Sequence, residues 1–248
     1  MDIEMKVVFV TPYFNAFENL ENLLGSLRSQ TDGRWEICVT NDMSTDGRDQ
    51  ELLDIFSSCR MTDNLNLHYY SNDEKKYALR NVVEMSRRYQ NDDDVIIAIL
   101  DADDQLCNDR TVEMIISSYE NNGWDAVWTA HRWDINNLNI SGPLDKDKDP
   151  YQIPWVSSHL KTFKSNILKK ITDDNFLDHQ GNWFKRGYDQ ILYLPILRVA
   201  KGNFHFLPEV CYQYNIDSVS LSEASRDKNE RDQIGAINFV RARGFISR

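Results

Sequence analysis

Three carboxylates, Asp101, Asp103 and Asp104, stand directly behind six apolar residues, Val95 to Leu100. Carboxylates this close repel one another unless a cation joins them. Hard divalent ions such as Mg2+ or Mn2+ take oxygen ligands of this kind, commonly one or two carboxylates together with phosphate oxygens. The chemistry they suggest is a metal bridging the chain to a phosphorylated ligand. A plainer reading is a solvated acidic turn after a strand. The apolar run favours the first reading. Such a run marks a strand buried on both faces, as in a parallel sheet, and ligands bind outside the carboxyl ends of those strands.

Other polar residues fall at the same predicted edge. The first strand is followed by Thr11-Pro12-Tyr13-Phe14-Asn15, in which Tyr13 offers a flat ring to a base. Asp42 follows the second strand and can accept from a base or ribose donor. Arg80 lies near the start of the third helix, where an added positive charge suits a diphosphate. Singly, Tyr13 reads as core, Asp42 as an Asx-turn and Arg80 as a solvated charge. Jointly, at one sheet edge, they outline a nucleotide site.

The elements that must position them follow from pattern. Strands are expected over Lys6–Thr11, Trp35–Thr40, Leu65–Tyr70 and Val95–Leu100. Leu20, Leu23, Leu24 and Leu27 recur at helical spacing and predict a helix from about Phe17 to Gln30. The polar turn Asn41 to Gly47 caps a helix reaching Cys59, and a third helix spans Tyr77–Tyr89. This β-α-β-α-β-α-β order predicts an α/β fold with a doubly wound, mostly parallel sheet. Further on, helices are expected over Arg110–Asn121, Phe163–Ile171 and Tyr188–Val199. Strands are expected over Ala126–His131, Phe204–Phe206 and Val210–Tyr214, and residues 136–154 read as a long surface loop. Residues 1–221 form one domain, with a nucleotide-binding half (1–105) and an acceptor-binding half (106–221). Residues 222–248 form a charged tail with a helix over Lys228–Arg241.

Composition narrows the function. A chain of 248 residues suits one α/β domain with an extension. The net charge of −11 disfavours a nucleic-acid partner held by its phosphates. Cys38, Cys59, Cys107 and Cys211 are scattered without a Cys-X-X-Cys pair, which disfavours a zinc site or a disulfide framework. No stretch has the length and apolarity of a transmembrane segment, and no secretory signal is visible. A reduced, cytoplasmic location is expected.

The succession PYFN, NDMSTDG, ALRN and LDADD resembles the family 2 glycosyltransferases with the GT-A fold. It covers the first half of the chain in the family's order. In the second half, HLKTFK, RGYDQ and CYQYN resemble later motifs of the family, with phrasing similar to phage-encoded and large DNA virus-encoded members; for such a member the location is the host cytoplasm. The resemblance implies a metal-dependent inverting transferase with Mn2+ or Mg2+ as cofactor. The donor is a nucleotide-diphosphate sugar, with UDP favoured because Tyr13 and Asp42 match uracil-holding positions. It implies that Tyr13 and Asp42 hold the base, with Pro12 shaping a donor loop that includes Thr11 and Asn15, and that Arg80 contacts the nucleotide. Asp101 would reach the ribose or the metal, Asp103 would ligate the metal, and Asp104 would assist the metal or orient the sugar. Asp189 occupies the place of the family's catalytic base.

Departures are visible. Asn41 replaces the first Asp of the usual pair, Met43 replaces a Gly, and Tyr188 replaces the Glu before the base. The closing His that often ligates the metal is missing near Asn215 and Asp217. His159 is open to a phosphate or metal role and equally to packing. Trp155, Trp183 and Tyr188 could form an acceptor platform or belong to the core. The expected acceptor is a hydroxyl on a glycan or glycoconjugate. The alternative acceptor is a hydroxymethylated DNA base, with Lys161, Lys164, Lys169 and Lys170 on one helical region. A nucleotidyltransferase would carry a Gly-rich phosphate loop where PYFN stands. A non-catalytic sugar- or nucleotide-binding module is the remaining alternative from another class. Should Asp189 not be the base, Asp178 and Asp217 are the substitutes.

Overall fold

Val7–Val10, Ile37–Val39 and Ile96–Leu100 are almost wholly inaccessible to solvent. That is the burial a continuous apolar strand acquires when helices cover both faces of its sheet. In the computed structural model, which describes residues 4–62, 66–216 and 223–247, these runs form β1 (Lys6–Tyr13), β2 (Trp35–Asn41) and β4 (Val95–Ile99). With β3 (Leu67–Ser71) they make a parallel half-sheet in the order β3-β2-β1-β4. The connecting helices are α1 (Leu20–Arg28), α2 (Asp49–Thr62) and α3 (Tyr77–Arg87). The heptad-like leucines Leu20, Leu23, Leu24 and Leu27 all face the core, as their spacing requires.

The second half extends the same sheet to eight strands. After β5 (Gln105–Leu106) come α4 (Thr111–Asn122), β6 (Ala126–Trp133), β7 (Lys161–Lys164), α5 (Tyr188–Ala200) and β8 (Phe204–Tyr214). The order continues β4-β7-β6-β8-β5. β7 runs antiparallel to both neighbours, and β6 and β8 are parallel. The whole is a mixed α/β fold with a mostly parallel sheet, as expected.

Two expectations are corrected. The helix expected over Phe163–Ile171 is instead β7 followed by a 3-10 helix, Ser165–Lys170. Thr162 and Phe163 fill the slot between β4 and β6, and the two ladders claim the backbone groups a helix would have used. The two short strands near Pro208 are one strand, β8. Its register against β6 slips between Thr129 and Ala130, opposite the Pro208-Glu209 pair, and a bulge accommodates the missing proline N–H. The charged tail carries a helix, as expected, α6 (Glu223–Arg243), which packs on the domain. Val240 is buried in the core. Arg241 donates to the carbonyls of Tyr151 and Ile153, and Arg243 to those of Asn175 and Leu177. Two arginines thus tie α6 to the long loop before β7 and to the segment before α5.

Candidate active site

A cavity of about 990 Å3 opens at the carboxyl ends of β1, β2 and β4. Pro12, Tyr13, Asp42, Asp101, Asp103 and Asp189, which lie far apart in sequence, all line it. Thr11, Asn15, Arg80 and Asp104 do not. Thr11 is buried, and the other three are held by the chain itself.

The β1 and β2 ends are stitched together first. The Asp42 amide donates to the Tyr13 carbonyl at 2.8 Å. Asn15 accepts from the Thr45 amide and donates to the Thr45 hydroxyl, so it latches the two loops and does not face the cavity. Thr11 is buried in β1. Asn41 accepts from Ser44 and donates to both Asp49 and the Tyr69 hydroxyl. Only an amide can do both, which explains why the usual Asp is absent here.

Asp42 anchors the start of α3. Its carboxylate accepts from the Lys76 and Tyr77 amides and the Asn72 side chain, at 2.8, 2.8 and 2.9 Å. Burial pushes its pKa up, but these hydrogen bonds win and hold it below the usual carboxylate range. In doing so Asp42 satisfies orphan amides at the start of α3. Arg80 is held by Glu84 at 2.7 Å and Glu74 at 2.9 Å. The charges on the cavity wall are instead Lys75, Lys185 and Arg186. Lys75 donates to the Asp42 carbonyl at 2.8 Å and lies over the Phe14 ring. Pattern reading passed over it because one lysine in the run Glu74-Lys75-Lys76 looks like a solvated charge.

The three aspartates after β4 divide their roles. Asp104 is buried and turned away, accepting from the Tyr212 hydroxyl at 2.6 Å and the Asn215 amide at 2.7 Å. Burial, with the charges of Asp101 and Asp103, raises its pKa to about 9. It therefore ties the turn to β8 and does not reach toward a metal or sugar. Asp101 accepts from the Tyr188 hydroxyl. Burial first, then the charges of Asp189 and Asp103, raise its pKa to about 7. A cation between Asp101 and Asp103 would relieve that repulsion. Their oxygens suit a hard divalent ion that takes its other ligands from phosphate and water. Among the described residues no cluster of three or more His, Cys, Asp or Glu side chains forms a self-sufficient metal site. Asp217 lies outside the described residues.

Asp189 sits in the first turn of α5, after Gly187 at φ 75°. Glycine is required there twice over: a side chain resists that left-handed backbone, and a Cβ would meet Ile237 of α6 at 3.1 Å. Asp189 is paired with Lys161 at 2.5 Å. Burial raises its pKa, and the Lys161 ammonium overcomes this and lowers it. His159 stacks on Tyr212 and Tyr214 and also lines the cavity, and burial with the Lys161 charge lowers its pKa to about 3. His131, on the cavity wall, is held neutral mainly by burial, its pKa lowered to about 4.

Of the aromatic candidates, Trp155 and Tyr188 line the cavity and Trp133 joins them. Trp183 stacks on Phe176 beside the core. Asp178 caps its own turn, accepting from the Gln180 and Asn182 amides. The four lysines do not form a basic helical face, because Lys161 is wholly buried in β7. Among the described residues no helix is long and apolar enough to cross a membrane.

No curated protein sequence matches the chain. Among solved structures it is similar to residues 1–349 of S. aureus TarS in complex with UDP-GlcNAc, at 16% identity and a TM-score of 0.62, covering 87% of this chain and 60% of that one. Against a crystal structure of TarS described without that residue range, it covers 93% of this chain and 43% of the other, at 16% identity and a TM-score of 0.60. It is also similar to the mannosyltransferase PcManGT from Pyrobaculum calidifontis in complex with GDP-Man and Mn2+, at 14% identity and a TM-score of 0.60 over 99% of this chain and 66% of that one. The chain therefore spans well under two thirds of TarS, and these likenesses speak to the fold alone; they lend no support to a viral kinship. The family model for glycosyl transferase family 2 matches residues 8–190, which include most of β1, the acidic turn and Asp189, and the chain belongs to that family.

Proposed function

We propose that this enzyme moves a sugar from a nucleotide-diphosphate donor, a UDP-sugar first, to a hydroxyl of a glycan or glycoconjugate, with inversion at the anomeric carbon. The observation that carries this reading is the single cavity lined at once by Tyr13 and Asp42, by Asp101 and Asp103, and by Asp189. Asp189 takes the proton of the acceptor hydroxyl as its oxygen bonds to the anomeric carbon. The bond from that carbon to the diphosphate oxygen breaks, and its electron pair leaves with the nucleoside diphosphate. One displacement with one base gives one inversion. Lys75, Lys185 and Arg186 supply positive charge toward the leaving group. Asp101 and Asp103 would hold Mn2+ or Mg2+, which when bound neutralises charge on the diphosphate. Trp133, Trp155 and Tyr188 give a sugar acceptor flat surfaces to stack on. The burial of Lys161 takes one of the four lysines out of the basic region that a DNA acceptor would have used.

The test is a thermal-shift and calorimetric titration with UDP, GDP, dTDP and CDP, each with Mn2+ and with EDTA. UDP is expected to stabilise the protein only with metal present, and Asp103→Ala is expected to remove that metal-dependent binding while the fold is kept. Absence of metal-dependent binding to all four nucleotides would overturn the reading.

A further inference from the structure

Lys161 is a fully buried charge that the reaction above does not use. It lies on β7 in the middle of the sheet, paired in register with Ile99 of β4 and Trp128 of β6. Packing alone would be served by methionine or leucine, and burying an ammonium is costly unless it is paired. Its Nζ meets two groups: Asp189 Oδ1 at 2.5 Å and His159 Nδ1 at 3.3 Å. His159 itself directs Nε2 toward the same Oδ1, at 4.0 Å. Ladders on both sides hold the β7 backbone, so the ammonium has a fixed origin. The Asp189 side chain nevertheless keeps 31% of its surface, on the cavity.

We propose that Lys161 is a positioning residue: it pins one oxygen of Asp189 from within the sheet, so that the carboxylate presents its other oxygen to the acceptor hydroxyl. This rests on the reading of Asp189 as the base. A base must reach its proton at hydrogen-bond distance, and geometry comes before basicity. The same ammonium makes Asp189 a weaker base and keeps it ionised. The arrangement gives up proton affinity for a fixed approach.

The test compares Lys161→Met with the unmodified protein. The probes are UDP-GlcNAc and GDP-mannose with Mn2+, followed by release of nucleoside diphosphate and by calorimetric donor binding. A misplaced catalytic group costs on the order of 100-fold, so kcat is expected to fall about that much while donor KM and Kd hold. A kcat near the unmodified value overturns the proposal, as does a joint fall of kcat and donor affinity, which a generally loosened site would give. Should Lys161→Met not fold, Lys161→Gln carries the same comparison. Asp189→Ala separates the two layers. If Asp189→Ala collapses turnover and the Lys161 variant does not, only the positioning role fails. If Asp189→Ala keeps its turnover, or the unmodified protein shows no metal-dependent binding of UDP, GDP, dTDP or CDP, the reading beneath it fails.

Discussion

Asp189→Asn makes a prediction about stability that runs opposite to the usual expectation for an active-site carboxylate. Removing a catalytic charge often relieves strain. Here it strands Lys161, which has no solvent exposure and keeps the neutral His159 as its remaining hydrogen-bond contact, with the Asp101 carboxylate as the other charge near enough to offset part of the loss. Breaking a buried ion pair by deleting one partner costs about 3–5 kcal/mol. The lower end applies, because the Asp189 side chain is 31% exposed and asparagine still offers an oxygen to the ammonium. In a chain of this size, about 3 kcal/mol corresponds to a fall in Tm of roughly 6–12 °C. Adding Lys161→Met to Asp189→Asn removes the stranded charge and is expected to return most of that loss, since well-packed apolar replacements of buried pairs are often neutral or better. The assay is a double-mutant cycle by thermal melting and urea unfolding at pH 7, with a coupling of about 2 kcal/mol or more expected. A single Asp189→Asn variant that melts with the unmodified protein, or a double variant no more stable than the single, would refute the claim that the pair is a buried, mutually dependent unit.

Three further substitutions test the local geometry. Met43 holds φ 58°, a left-handed backbone that glycine adopts freely. Met43→Gly is expected to stabilise by about 1 kcal/mol, seen as a higher urea midpoint at constant slope. Gly187→Ala combines left-handed strain with a 3.1 Å contact to the Ile237 side chain of α6; a loss of about 1–3 kcal/mol is expected, together with faster proteolysis of α6. Asn41→Asp sets a carboxylate against Asp49, where the present amide donates at 2.8 Å. The lost donor and the new repulsion should cost about 1–3 kcal/mol, read in thermal melts at pH 7.

Much of the donor half was legible because each of its strands carries its own evidence. Val95–Leu100 is apolar at every position, and only a strand covered on both faces can use such a run. The leucines of α1 needed no tertiary context either. Where sequence reading failed, the deciding interaction came from far away. Phe163 and Thr162 belong to a strand because β4 and β6 leave a slot for one, and nothing within the segment says so. The tail after residue 222 carries a charged pattern, and its docking depends on carbonyls of Tyr151, Ile153, Asn175 and Leu177 that no side-chain pattern reveals.

The site shows the same division more sharply. The motif residues were found, but a motif names positions without saying which of their atoms are already committed. Asp42, Asn15, Arg80 and Asp104 all stand near the nucleotide edge, yet hydrogen bonds and ion pairs to the chain itself occupy them. The cavity's positive wall then has to come from Lys75, Lys185 and Arg186, on the loops before α3 and α5. These two loops are joined to the rest of the site by polar contacts: Asp42 holds the first by its amides, and Lys161 holds the second through Asp189. If both loops are fixed in this way before any ligand arrives, donor binding should proceed with little change of shape. Calorimetry of UDP with Mn2+ would then show a small heat-capacity change, since only the burial of new apolar surface makes it large. A large negative value would mean that one of these loops closes over the nucleotide.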